Sequence, residues 1–557
     1  MYIFIDKAKK CRGKQALYFS IPKDLDLYEL DCIHPKYYDP SKRVFETSLS
    51  NFNILLDKFI NENIKIPKDM PKQLEKELTR LDLFDAPNHV EYKTTPFSYQ
   101  AEGVDYALEH PKFLLGDQMG LGKSKQAIDI AVARKIPNSH CLVICGVNDL
   151  KYNWREEVKV HSDEQSHILG TRYRKNGNEY IGGSKEKLED IKRIHELPYF
   201  IITNIETLRN KDIANDIKKL CDKDIITMTI IDEAHKAKNY SSQQGKSIHK
   251  CTSYYRLPMT GSPLMNSPLD LYNILKWLDI VNIPYGDFES RYTIKGGFRD
   301  TQVIDYKNLD ILNKQVQQCM LRRLKNDVLD LPDKIQTYEL LEMSDNQQKL
   351  YNETRQHIID NIDKVILSNN PLAELIRLRQ CTADSSILST TIKASVKVQR
   401  VISIVEELAE NNRKCIIFSN WTSVTDILEK ELAQFNPSIA TGKTKNLEKE
   451  LNKFKTDDTC NCIIGTIGVL GTGFTLTEAD TVIFMDEPWS YADKEQAEDR
   501  AYRIGTKSNV TIITLLCKDT IDEKIAQLVQ DKKDLSDMII DNKDMKKKKD
   551  IILDLLE

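Results

Sequence analysis

Phe113-Leu114-Leu115-Gly116-Asp117-Gln118-Met119-Gly120-Leu121-Gly122-Lys123-Ser124 fixes how the rest of the sequence is read. The apolar run Phe113–Leu115 predicts a strand, Lys125–Ala133 a helix, and the glycine-bearing segment a loop joining them. Glycines let backbone N–H groups close on an anion, and a helix N-terminus favours negative charge. In this pattern Lys123 reaches the terminal phosphates of a nucleotide and Ser124 ligates Mg²⁺. The strict pattern has glycine where Asp117 stands, so alone the stretch also fits a Gly-rich turn before an ordinary helix.

Outward from this loop, short apolar strands alternate with helix-like stretches at 141–145, 199–203 and 225–231. The rhythm returns at 415–418, 462–465, 481–485 and 510–516. It predicts an α/β fold of two RecA-like parallel-sheet lobes with crossover helices. The expected organisation is a small α+β domain at 1–90, lobe 1 at 91–280, helical protrusions and a linker at 281–390, lobe 2 at 391–530, and a helical tail at 531–557. The segment 281–390 shows no strong strand series, and Ser48–Ile60 has helical spacing.

The apolar strand ending at Ile231 runs into Asp232-Glu233-Ala234-His235, about 110 residues after the loop. An acid pair at a buried strand end suits a Mg²⁺-dependent NTPase: Asp232 holds the metal, and Glu233 polarises the attacking water. In the second lobe, Gln496, Arg500 and Arg503 are spaced to share one helix face. That face presents an amide and two always-charged guanidiniums to a phosphate. Alone it also fits a solvated charged face.

Basic and acidic residues number 80 and 84, a net charge of −4 over 557 residues, which excludes a histone-like chain. Any nucleic-acid groove must therefore be locally basic. The twelve cysteines lack a C-x-x-C pair, and Cys141/Cys145 and Cys460/Cys462 fall in apolar runs, so core thiols are expected rather than a zinc site. No run approaches a membrane span. These features predict no membrane association and a cytoplasmic setting in a bacterial or virus-infected cell, or a nuclear one in a eukaryote.

The motifs fall in a familiar order: Pro96–Gln100, the phosphate loop, Leu142–Cys145 with Trp154 and Glu157, Ile202–Arg209, the DEAH box, Thr260-Gly261-Ser262, Ile416–Thr422, the Gly465–Gly473 loop and 496–503. This series resembles helicase superfamily two, and Met320–Leu329 with Gln496–Gly505 resembles its Swi/Snf-type branch. Tyr38–Phe45 is similar to the HARP module of annealing helicases, with Phe45 in a tryptophan-like place.

The resemblance implies an ATP- and Mg²⁺-dependent motor translocating on double-stranded or forked DNA, remodelling or reannealing replication or recombination intermediates. A strand-separating helicase and a catalytically inactive DNA-binding scaffold are the alternatives. It implies a monomer that works beside replication or recombination proteins. It also implies that Gln100 contacts adenine. His235, Thr260, Ser262, Ser419, Thr466, Gly471 and Gly473 are then expected in coupling or along the DNA path. Lys42 and Arg43, with nearby aromatics, become candidates for DNA-structure recognition. Three departures stand out: Gln118 for the usual acid, Gly146 for the usual proline, and Val469-Leu470 for small residues.

Overall fold

The computed structural model describes residues 3–11, 15–21, 30–40, 42–52, 54–55, 84, 90–147, 150–261, 267–296, 302–360, 372–389, 395–471, 475–488, 491–503, 505–506, 508–527 and 529–530. They form two compact units, the first spanning 3–117 with 122–323 and the second 118–121 with 324–530.

The first unit opens with β1 (Ile3–Lys7), β2 (Gln15–Phe19), β3 (Lys36–Asp39) and β4 (Val44–Thr47), an antiparallel sheet in the order β1-β2-β4-β3. Buried Glu46 accepts the backbone N–H groups of Lys9, Lys10 and Cys11 at 2.8–2.9 Å, closing the loop after β1. Asp31 fastens this module to the rest of the unit. Its carboxylate pairs with Arg291 and accepts from Gln315 at 3.2 Å, while its carbonyl accepts from Asn282 N at 2.7 Å. Within Ser48–Ile60, where the spacing predicts a helix, Leu49–Asn51 forms a 3-10 turn and Phe52, Ile54 and Leu55 are helical. Residues 53 and 56–60 lie outside the described residues, as does the tail after 530.

The strands that follow are β5 (Leu114–Leu115), β6 (His140–Cys145), β7 (Ser166–Ile168), β8 (Thr171–Tyr173), β9 (Glu179–Ile181), β10 (Phe200–Asn204), β11 (Ile226–Asp232), β12 (Tyr255–Pro258), β13 (Thr293–Gly296), β14 (Gln302–Tyr306) and β15 (Met320–Leu321). Five make a parallel sheet in the order β12-β11-β6-β10-β7. β5 runs parallel beside β12 through the Leu115–Met259 bridge and also pairs with β15. Alternate residues feed two cores. Cys141, Val143 and Cys145 pack with Ala127, Ile128 and Trp154, while Leu142 and Ile144 pack with Ile213, Ile217 and Trp277. Burial on both faces is why these strands read as unbroken apolar runs.

The second unit repeats the design. Its strands are β16 (Lys334–Leu341), β17 (Cys415–Ser419), β18 (Ser438–Ala440), β19 (Cys462–Thr466), β20 (Thr481–Phe484) and β21 (Val510–Cys517). They form a parallel sheet in the order β16-β21-β20-β17-β19-β18. The two parallel-sheet units are the α/β architecture expected from the sequence. The segment 281–390 differs from its helix-like reading, because it contains β13 to β16. β16 escaped notice because a half-exposed edge strand, Lys-Ile-Gln-Thr-Tyr-Glu-Leu-Leu, carries no apolar run. β15 is only two residues long.

All twelve cysteines are free and buried, and burial drives the Cys145 thiol well above its ordinary range. Among the described residues no helix is long and apolar enough to cross a membrane.

Fully buried Lys397 ties the second unit together by pairing with Asp522 at 2.7 Å and donating to Met485 O at 2.8 Å. Asp522 also accepts Thr382 Oγ1 at 2.8 Å and Cys517 N at 3.1 Å. Asp522→Ala strands a buried ammonium, and chemical denaturation of the variant is expected to show a loss of about 3–5 kcal/mol.

Candidate functional site

The parallel sheet of the first unit brings its chemistry to one edge, the carboxyl ends of β5, β6, β11 and β12, where open α/β sheets bind ligands. From β5 the chain enters the phosphate loop. Gly120 and Gly122 have φ of 81° and 69°, which a side chain resists, and they lead into the helix Lys123–Ala133. Lys123 Nζ folds back to Asp117 O at 2.8 Å, and Ser124 stands at the helix start, half-buried. Gln100 packs its amide against this loop, since a Cβ on Gly122 would fall 2.5 Å from Gln100 Nε2. The Gln100 carbonyl oxygen accepts Phe97 N at 3.1 Å.

Asp117 does something its place in a phosphate motif did not suggest. Its buried carboxylate takes a bidentate contact from Arg323, Nε at 3.0 Å and Nη2 at 2.6 Å, and accepts Gln126 Nε2 at 3.0 Å. Arg323 also reaches Gln126 Oε1 at 2.7 Å and the Tyr99 carbonyl. Asp117 is expected among the nucleotide-contacting loop residues; its carboxylate anchors the loop base. Arg322 does the same for the backbone, donating to Gly116 O at 3.0 Å and Gly261 O at 3.3 Å. Gln118, with Met119, Gly120 and Leu121, groups with the second unit. Its amide donates to Glu495 Oε1 at 2.8 Å and accepts Lys325 N at 2.9 Å. The usual acid here would repel Glu495. Met119 and Leu121 are buried apolar side chains.

The acid pair sits where β11 ends. Asp232 Oδ2 accepts Trp154 Nε1 at 2.8 Å, and Oδ1 accepts Glu233 N at 2.9 Å. Burial and the adjoining Glu233 push Asp232 up to about 6, against the Trp154 hydrogen bond and the Lys123 charge. Burial also works to raise Glu233, but His235, Lys123 and Lys236 together hold it below its ordinary value. Glu233 has φ of 50°, a left-handed conformation costly for any residue with a side chain. Gly146 makes the turn possible, because a Cβ there would lie 2.9 Å from both the Asp232 and Glu233 carbonyls. That is the physical reason for glycine in place of proline.

His235 Nδ1 lies 3.3 Å from Glu233 Oε2 and 3.1 Å from Thr260 Oγ1, both contacts in the interior. Thr260 N donates to Leu115 O at 3.2 Å. The acid turn, the Thr-Gly-Ser element and the strand feeding the phosphate loop are thus one bonded unit. Ser262 and Gly473 lie outside the described residues.

The second unit corrects several expectations. The helix Tyr491–Glu498 stops before the arginines, so Gln496, Arg500 and Arg503 do not share a helix face. The backbone there tightens into three-residue turns, with Arg500 N on Ala497 O at 3.2 Å and Ala501 N on Glu498 O at 3.1 Å. Arg500 is buried and turns back to donate to Gln496 O at 2.9 Å. Ser419 is fully buried and bonded to Asp486 at 2.9 Å, not presented on a surface. Thr466 ends β19, half-buried. Gly471 is required by its own chain, since a Cβ would fall 2.3 Å from Ile467 O. Ile467–Leu470 is a short helix whose Leu470 is buried and whose Val469 packs against the core, which explains the larger residues there.

Ser124 and Asp232 offer hydroxyl and carboxylate oxygens, the hard donors Mg²⁺ prefers. The site roles of Arg323, Gln126 and Trp154 were missed, although Trp154 stands in the motif series and Arg323 in the Met320–Leu329 motif.

An SNF2-related domain matches residues 99–387, and a helicase conserved C-terminal domain matches 396–505. The chain belongs to the SNF2-related family. It is 28% identical over 515 residues to an uncharacterized ATP-dependent helicase of Mycoplasma pneumoniae, covering 90% of this chain and 46% of the relative. It is 26% identical to mouse chromodomain-helicase-DNA-binding protein 1-like, covering 80% and 50%. The chain thus spans about half the length of these curated relatives. A solved Sulfolobus solfataricus SWI2/SNF2 ATPase core in complex with dsDNA is 27% identical, covering 82% of this chain and 96% of that one, with a TM-score of 0.37.

Arg323→Ala leaves the Asp117 carboxylate buried without its cation. Denaturant titration should show the first unit weakened by about 3–5 kcal/mol, and Arg323→Lys should recover only part of that, lacking the planar fork.

Proposed function

We propose that the chain is a DNA-dependent ATPase that translocates on double-stranded DNA and remodels or reanneals replication or recombination intermediates. The observation that carries the reading is the continuous contact path Trp154–Asp232–Glu233–His235–Thr260, anchored beside the phosphate loop. Such a path lets a change at a DNA-contacting element reach the residues that handle water and metal. Family membership supports ATP as the fuel, and the relatives named as ATP-dependent helicases support a helicase-type motor.

In this reading the loop N–H groups and Lys123 hold the phosphates, while Gln100 faces the base. Ser124 and Asp232 hold Mg²⁺, which would neutralise charge on the phosphates. Glu233, kept ionised by His235, orients and deprotonates the attacking water. Arg503 is the candidate for stabilising charge on the transferred phosphate. The amino-terminal module, with Lys42, Arg43, Tyr37 and Tyr38 on or beside its β3 edge, is the candidate for sensing branched DNA. Its Lys42 pairs with Asp6 at 2.8 Å, and Tyr38 is half exposed.

The test is steady-state ATPase with no nucleic acid, duplex DNA, forked DNA, single-stranded DNA and RNA at fixed salt. Stimulation by duplex or forked DNA is expected; stimulation by single strands or RNA alone would replace this reading with a strand-separating helicase. Glu233→Gln should bind ATP normally and lose turnover by about 10²–10⁴-fold. Arg503→Ala should also stop turnover while leaving DNA binding intact.

A further inference from the structure

The β8–β9 hairpin is an exposed ribbon on a rigid base, and neither the ATP site nor the coupling path uses it. It leaves the carboxyl end of β7, the edge strand beside β10. That is the same sheet edge that carries the acid turn and Thr260. Its base is bolted down by Asp190. One carboxylate oxygen accepts Gly170 N at 2.7 Å and contacts His167 Nε2 at 2.8 Å; the other takes Arg172 Nη1 at 2.7 Å. Gly182 N closes the base on Gly170 O at 2.8 Å.

Beyond this base the arm projects into solvent. Residues 173–180 are all exposed, with Tyr173 at 69% and Tyr180 at 40%. Tyr180 lies opposite Arg172 and Tyr173 opposite Glu179, so the two rings stand on opposite faces of the ribbon. The Arg174 guanidinium covers the Tyr180 ring at 5.5 Å. Arg155, on the neighbouring helix Leu150–His161, neutralises Glu179 through contacts of 2.7 and 2.9 Å. It also stacks on exposed Tyr152 at 5.6 Å. With its one acid paired, the arm presents Arg174 and Lys175 at its tip on a chain whose net charge is −4.

We infer that this ribbon is a second DNA contact that holds an unpaired strand next to the translocated duplex. Arg174 and Lys175 meet phosphates, and Tyr173 and Tyr180 stack on bases. Flat aromatic faces beside local positive charge suit single-stranded nucleic acid, since every base has a face to stack. A paired duplex would use the basic tip but not the rings. The inference rests on the DNA-translocase reading and extends it to the class of DNA preferred.

The experiment is fluorescence anisotropy of a labelled fork with single-stranded arms, and of a fully paired duplex, against wild type, Tyr173→Ala/Tyr180→Ala and Arg174→Gln/Lys175→Gln. Unchanged thermal melting controls for folding. The tyrosine pair should weaken fork binding about tenfold or more while leaving the duplex unaffected. The basic pair should make the log–log salt slope for the fork shallower by about 1.4. Unchanged fork binding by both variants, or equal loss on fork and duplex in the tyrosine pair, overturns the inference. Wild-type ATPase read in parallel separates the two claims. Stimulation by DNA with unchanged variant binding sinks the ribbon alone, whereas ribbon-dependent binding without stimulation sinks the motor reading.

Discussion

Everything at the candidate site hangs on how β11 ends. The strand is held in parallel register between β6 and β12, with Asp232 opposite Cys145 and Ile231 opposite Pro258. That pairing delivers two carboxylates to the sheet edge at a fixed depth, and the left-handed turn at Glu233 then splits them. One faces Trp154 and the other His235. Two adjacent buried acids would otherwise share a proton. Distinct partners drive their pKa values apart, Asp232 upward and Glu233 downward.

The phosphate loop is fixed by a second constraint, the Asp117–Arg323 fork. A carboxylate at the first loop position has no role toward an anionic ligand and would repel it. Turned inward onto Arg323 and Gln126, it instead sets the angle between β5 and the following helix. Arg322 and Arg323 come directly after β15, so the last strand of the first unit reaches both the loop base and the backbone beside Thr260. Departures that look like erosion of a motif, Gly146 among them, have local steric causes.

Much of this was legible in the sequence wherever a residue's task is local. Doubly buried parallel strands advertise themselves as apolar runs, and the phosphate loop and acid pair are contiguous motifs. What stayed hidden depends on distant partners. Asp117 looks like a loop residue until Arg323, more than two hundred positions away, is seen to hold it. The 496–503 stretch has helical spacing, yet the backbone tightens into three-residue turns and the helix ends at Glu498. Ser419 is expected in coupling or along the DNA path, and its bond to Asp486, 67 positions away, is not visible in the sequence. Edge strand β16 was masked by its own exposure.

We propose that Thr260 and His235 carry information between DNA and the acid pair. The direct measurement is the ATPase rate of Thr260→Val with and without saturating duplex DNA, with DNA affinity measured in parallel. Valine keeps the buried shape and removes the hydroxyl that His235 contacts. The expected outcome is a rate without DNA close to wild type, unchanged DNA affinity and loss of most of the stimulation. Full stimulation in the variant would contradict it.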